Sequence, residues 1–167
     1  MYAVLIELKP QPRPVSSALG VCCGGQLDLS ACNSWRVPGA IEQVAIEDLD
    51  CRRLSAVFPV FDFDFTKPVG DEEAGGIPDK RAKLLSIPVV EGGAVHAVAL
   101  WFTIQMDSSG AEFTTGPDNP TNCWKQGVQF IKPDGGLQVA PGQEVELRVS
   151  HDDMTIDFKN ARVIGAD

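Results

Sequence analysis

Long apolar runs are missing from this chain of 167 residues. The longest candidate, Ala97–Phe102, falls far short of the roughly 18 residues that a membrane-spanning helix requires, so a helical span is excluded on length and a soluble protein is expected. Histidine is scarce too. Only His96 and His151 occur, with neither a His-x-His nor a Cys-x-x-Cys spacing, so no metal site is expected. No glycine-rich turn joins a strand pattern to a helix pattern, which removes the close backbone approach that a dinucleotide or methyl-donor fold offers its ligand. The glycine pairs beginning at 24, 75, 92 and 135 lie between non-helical stretches and read as turns. Basic residues are outnumbered, 14 against 23 acidic, and the net charge of -9 repels phosphate backbones and anionic lipid while attracting basic peptides. Nucleic acid and membrane are therefore not expected as partners.

Disulfide spacing is absent as well. Five cysteines, at positions 22, 23, 32, 51 and 123, are odd in number and irregularly placed, and the opening MYAVLIELKPQPRP has neither a charged leader nor a cleavable apolar run. These features point to a reducing compartment, cytoplasmic or nuclear. Cys123 with His96 or His151 is the one pairing worth naming for an activated thiol, against the commoner behaviour of free cysteine as a small buried hydrophobe. His96 lies in an apolar alternation and reads as a packed, hydrogen-bonded residue rather than an acid or base. His151-Asp152-Asp153 can be read as a weak chelator, or as a turn whose polar residues simply face water.

What is present is β pattern. Hydrophobic residues make up 44% and charged residues 22% of the chain, an ordinary globular balance, and its length allows one domain that buries roughly 70% of its unfolded surface. Tyr2–Leu8 alternates with a period of two, placing Tyr2, Val4, Ile6 and Leu8 on one face and Ala3, Leu5 and Glu7 on the other. Phe58–Phe65 does the same with Phe61, Phe63 and Phe65 against Asp62 and Asp64. Gly70–Asp79 reads as an exposed acidic loop. Lys83–Glu91 and Ala94–Met106 are expected to pair through a turn at Glu91-Gly92-Gly93, with both faces of the second strand covered. Asp107–Gly110 is a turn, Ala111–Thr115 a short strand, Gly116–Asn122 a loop and Gln126–Lys132 a strand. Glu144–His151 and Met154–Lys159 form a hairpin that sets Val145, Leu147 and Val149 against Met154, Ile156 and Phe158. Between residues 10 and 52 the pattern is weak, with Glu42–Leu49 the one possible element. The expectation is a single all-β domain, an antiparallel barrel or barrel-like sandwich: first strand 1–9, an irregular or arm-like insertion 10–52, and the main barrel 53–167.

Two stretches carry a family resemblance: LSAVFPVFDFDFTKPV, residues 54–69, and HAVALWFTIQMDSSGAEFTTGPDNPTNCWKQGVQFI, residues 96–131. Together they resemble the C-terminal barrel of the protein arginine methyltransferases, through Trp101-Phe102, Thr115-Gly116-Pro117 and Cys123-Trp124-Lys125-Gln126. The opening MYAVLIEL and the Phe-Asp-Phe element are similar to the tandem-module, monomethylating branch. The resemblance implies that Asn122, Cys123 and Trp124 form a loop facing the active site of a preceding domain, with Trp124 walling the channel that admits the arginine side chain; plain core packing is the other reading of Trp124. It also implies a parent that transfers methyl from S-adenosylmethionine to arginine in proteins, and a dimer or tandem-module partner held by the arm near 10–52. The family's glutamate pair and cosubstrate site belong to the preceding domain, so this chain should bind no cofactor and hold no catalytic residue. Cys123 stands where the family pattern has histidine and cannot act as an imidazolium.

Two rivals follow from the residues alone. One is a free-standing β-barrel adaptor binding basic peptides through its acidic surface; the other is a hydrolase or redox protein using Cys123.

Overall fold

A computed structural model describes residues 1–9, 21–22, 27–28, 41–68, 70, 76–119, 124–131 and 135–165. Every regular element among them is a strand, apart from one 3₁₀ turn at Ile46–Asp48. The organising element is β1 (Tyr2–Leu8), whose alternation sends apolar side chains to both faces. Ala3 and Leu5 enter one core and Val4 and Ile6 another, all four at most 1% exposed. Such a strand must lie in the middle of a sheet, and it does.

The main sheet runs in the order β4 (Ile41–Val44), β12 (Gln126–Phe130), β9 (Ala97–Trp101), β1 and β5 (Cys51–Arg53), with β6 (Phe58–Pro59) also on β1. Every pairing is antiparallel. A second sheet has β14 (Glu144–His151) between β7 (Arg81–Pro88) and β15 (Ile156–Ile164). Three two-stranded pieces complete the described set: β2 (Val21–Cys22) with β3 (Leu27–Asp28), β8 (Gly93–Val95) with β13 (Leu137–Val139), and β10 (Thr103–Gln105) with β11 (Glu112–Thr114).

The larger core fills the space between the two sheets: Leu5, Val98 and Leu100 from the first meet Ile87, Val145, Leu147, Val149 and Phe158 from the second. Truncating a fully buried member such as Leu5 to alanine should cost about 2–5 kcal/mol. The sheets join at two seams. On one side Ser55 bridges Val89, and the Val90 N–H donates to the Leu54 carbonyl at 2.9 Å. On the other, the buried Gln129 side chain reaches from β12 to the backbone of Phe158 in β15. The result is a barrel-like sandwich, as its alternating strands predict.

Several local expectations are corrected. Phe58–Phe65 is not one strand: only Phe58 and Pro59 pair with β1. Beyond them the backbone groups of Val60 and Phe61 bond only Met1 among the described residues, and further on the Asp64 carboxylate accepts the Thr66 N–H and hydroxyl, curling the chain into a turn that leaves Phe65 75% exposed. The strand at 81–88 does not pair with Ala94–Met106 through Glu91-Gly92-Gly93; it lies on β14, where Leu85 and Ile87 share a core with Leu147 and Val145. Ala94–Met106 is three strands, β8, β9 and β10, because the chain changes sheets at His96 and again at Phe102. Its central piece is nonetheless buried on both faces, as expected. Met154 is 84% exposed and takes no part in the hairpin face, since the Asp152 carboxylate accepts the N–H groups of Met154 and Thr155 and delays the strand to Ile156. Of the loop Gly70–Asp79, residues 71–75 lie outside the described set, and the stem is not wholly exposed: Ile77 is buried and bonded to Pro68 and Gly70.

The weakly patterned segment joins the main sheet from residue 41 on, through β4 and through β5, which runs past its end to Arg53. The element expected at Glu42–Leu49 is real, split between β4 and the 3₁₀ turn.

Candidate functional site

The candidate loop leaves β11 and returns through Trp124 to β12, and both of its ends are tied to the strand crossing at Phe102. Thr115 is 2% exposed. Its N–H donates to the Phe102 carbonyl at 3.0 Å, and its hydroxyl both accepts the Phe102 N–H and donates to that carbonyl, each at 3.2 Å. One threonine thus satisfies the backbone at the point where the strand changes sheets. Gly116 follows because nothing larger fits. A Cβ there would sit 2.8 Å from Trp101 Nε1 and 3.1 Å from Trp101 Cδ1. The turn closes on itself as the Asn119 amide donates to the Thr114 carbonyl at 2.9 Å and the Asn119 N–H to the Gly116 carbonyl at 3.2 Å. Asp118 accepts a two-pronged bond from Arg53 at 2.7 and 3.1 Å. The Arg53 guanidinium holds the Asp118 carboxyl below its ordinary range, and Asp118 in turn raises Arg53.

At the returning end Gln126, 2% exposed, uses its whole amide. Its Nε2 donates to the Thr115 carbonyl at 2.9 Å and to the Trp124 carbonyl at 3.2 Å, while its Oε1 accepts the Ile46 N–H at 3.0 Å. One side chain therefore fixes both ends of the loop and the 3₁₀ turn. The reading of the sequence included Gln126 in the motif but gave it no role; a glutamine that must be buried to be useful gives no polar signal of its own.

Trp124 is 58% exposed, with its ring edge-on to Phe102 at a centroid distance of 6.0 Å. Core packing is thereby excluded as its role. Asn122 and Cys123 lie outside the described residues, as does any pairing of Cys123 with a histidine. His96 is structural, as expected: its Nδ1 accepts the Leu8 N–H at 3.2 Å, which assigns the proton of the neutral ring to Nε2. His151 does more than face water. Its ring meets the edges of Phe61 and Phe63 at 4.7 and 5.0 Å, and its Nε2 accepts from Arg81 Nε at 3.0 Å, while the Arg81 guanidinium lies over both phenyl rings. The Phe-Asp-Phe alternation was legible in the sequence, but its partner 90 residues away in β14 was not.

Among the described residues no group of His, Cys, Asp or Glu could hold a metal ion, and no helix is long and apolar enough to cross a membrane. Among the described residues Gly92-Gly93 leads into β8 and Gly135-Gly136 into β13, and no α-helix follows either pair. What the site offers is an exposed indole whose backbone carbonyl is bonded by Gln126, and an open groove of about 540 Å³ lined by Trp101 and Tyr2.

The described residues thus form a domain of antiparallel sheets with an exposed tryptophan just before β12. A model of the arginine methyltransferase oligomerization subdomain matches residues 28–163, and the chain belongs to that family. It is 27% identical over 112 residues to protein arginine N-methyltransferase 9 of Homo sapiens, covering 67% of this chain and 13% of that protein. It is 29% identical over 155 residues to protein arginine N-methyltransferase 7 of Oryza sativa subsp. indica, covering 75% and 20%. It is also 29% identical over 136 residues to the arginine N(omega)-methyltransferase of Streptomyces achromogenes subsp. streptozoticus, covering 81% and 34%. The chain thus spans between 13% and 34% of the length of these relatives.

Proposed function

We propose that this chain is the substrate-facing and assembly-forming part of an enzyme that transfers methyl from S-adenosylmethionine to arginine in proteins, acting in the cytoplasm or nucleus. The donor and the catalytic carboxylates belong to a preceding domain, and the chain alone is catalytically silent. Asn122, Cys123 and Trp124 border the arginine channel, and the part of the segment 10–52 that precedes β4 serves as an arm for a dimer or tandem-module partner. The observation that carries this reading is Trp124: an aromatic ring 58% exposed costs apolar hydration unless something covers it, and here its backbone carbonyl is held by the buried Gln126. A guanidinium suits that face, since cation–π contact is worth about 0.5–2 kcal/mol depending on desolvation.

Labelled S-adenosylmethionine and a Gly/Arg-rich peptide provide the test. The chain alone should incorporate no label. Joined behind the donor-binding domain of the rice relative it should methylate the peptide, and Trp124→Ala should lower kcat/KM about tenfold or more. Incorporation by the isolated chain, or indifference of the joined enzyme to Trp124→Ala, overturns the reading. The free-standing adaptor is less well supported, because the relatives carry methyltransferase names and this chain matches only 13% to 34% of their length.

A further inference from the structure

His151 lies between two sets of charges. One groove that it lines also carries the cations Lys80, Arg81 and Lys159, and a second, an open pocket of about 340 Å³, carries the carboxylates Asp79, Asp152 and Asp153. The ring is engaged on the cationic side. Its Nε2 accepts from Arg81 Nε at 3.0 Å, so Nε2 holds a lone pair and the proton of the neutral ring sits on Nδ1, 3.4 Å from the Asp152 carbonyl. That bond completes a cluster. The Arg81 guanidinium lies 5.1 and 4.6 Å from the ring centres of Phe61 and Phe63 and donates to the Asp62 carbonyl at 2.9 Å, while the imidazole meets the same two rings edge-on. Phe61 is buried in the core, but Phe63 is only half-buried and Phe65 stacks on it at 6.2 Å.

We propose that the bond between Arg81 and His151 is a proton-operated clasp on the segment 62–66. A proton taken from solvent onto Nε2 removes the lone pair that receives Arg81 Nε and sets two cations side by side, which like charges disfavour. The charged ring has partners elsewhere. Asp79 and Asp153 are exposed in the pocket that it already lines, so the imidazolium turns to that side and the guanidinium is freed. The other nearby charges are committed. Asp157 is bonded to Lys159 and Gln129, and Asp152 accepts the N–H groups of Met154 and Thr155. Lys83 lies over Phe61, and the Met1 amino group, with the Asp62 carboxylate acting on it, donates to the Phe61 carbonyl. Once Arg81 is released, Phe63 loses the guanidinium over its ring and carries Phe65 with it, so acidification loosens the turn and reshapes the pocket that Phe63 lines.

Nitrogen-15 NMR of the whole chain, taken from about pH 8 to about pH 5 where imidazoles change charge, tests this without any activity. The Arg81 Nε–H signal should sit apart from that of a free arginine at the upper end and move to the free position at the lower. The Phe63 and Phe65 amides should shift with the same midpoint as the His151 ring protons. His151→Gln, whose side-chain oxygen can accept from Arg81 at every pH, should hold all three signals still. Arg81→Ala, in which the turn is already released, should leave the Phe65 amide insensitive to pH while His151 still titrates. A ring that stays neutral throughout, a ring that gains its proton with no change at Arg81 or Phe65, or the same shifts in either variant would each overturn the clasp. The clasp does not depend on the proposed function, and none of these outcomes bears on methyl transfer at Trp124.

Discussion

The side-chain amide of Gln129 bonds both backbone groups of Phe158, accepting its N–H at 3.0 Å and donating to its carbonyl at 3.1 Å. Its second amide hydrogen goes to the Asp157 carboxylate at 2.7 Å. A glutamine thus does for β12 and β15 what a neighbouring strand's peptide group would do, at a seam where no ladder forms.

Replacing Gln129 with leucine should therefore be costly despite the gain in hydrophobicity. It strands a buried N–H and a buried carbonyl on Phe158, each worth about 1–3 kcal/mol when left unsatisfied. A loss of about 2–4 kcal/mol is expected from urea unfolding; a variant as stable as the parent would show that the seam is held by packing alone.

Gly116→Ala tests the crossing at Phe102. The new methyl would press on Trp101 Nε1 at 2.8 Å, and Trp101, 8% exposed, has little room to retreat. A loss of about 1–3 kcal/mol is expected, together with a shift of the Trp101 indole signal in NMR spectra. An unmoved indole signal would contradict the close contact.

Trp124→Ala should behave in the opposite way. Because the ring is 58% exposed and touches Phe102 only edge-on, stability should change by less than about 1 kcal/mol. Thermal unfolding beside methyl transfer by the joined enzyme separates the two roles, and a large drop in melting temperature would return Trp124 to a structural part.

Acid sensitivity should trace in part to Glu7. Burial works against its charged form, but the Ala94 N–H at 2.8 Å and the Arg52 guanidinium outweigh it and hold the pKa below the ordinary 4.5. A carboxyl depressed in the folded state binds protons more readily when unfolded, so its contribution is complete above pH 4.5 and is lost as pH falls below that value through the folded pKa. Glu7→Gln should flatten the acid limb of the stability profile, read by denaturant titration between neutral and strongly acidic pH. A variant with the same acid slope as the parent would show that Glu7 is not a source of that sensitivity.

Local alternation made the strands legible, and their partners were not. Tyr2–Leu8 shows apolar residues on both faces, which already marks a central strand, and the buried Val145, Leu147 and Val149 follow from period two alone. The motif from Thr115 to Gln126 was legible as a resemblance, because side-chain identities at fixed spacing survive without coordinates. Its working parts were not. That Gln126 grips Ile46, Thr115 and Trp124 together depends on elements up to 80 residues apart meeting in space.

Residue order by itself settled that this chain is a β domain and that it carries an arginine methyltransferase motif. Which strand lies beside which, and whether Trp124 packs inside or stands at the surface, belonged to the tertiary structure. The reason is physical: a hydrogen-bond ladder accepts any partner of matching length, so the choice among partners falls to the shared apolar core and to a few buried amides that must find both donor and acceptor.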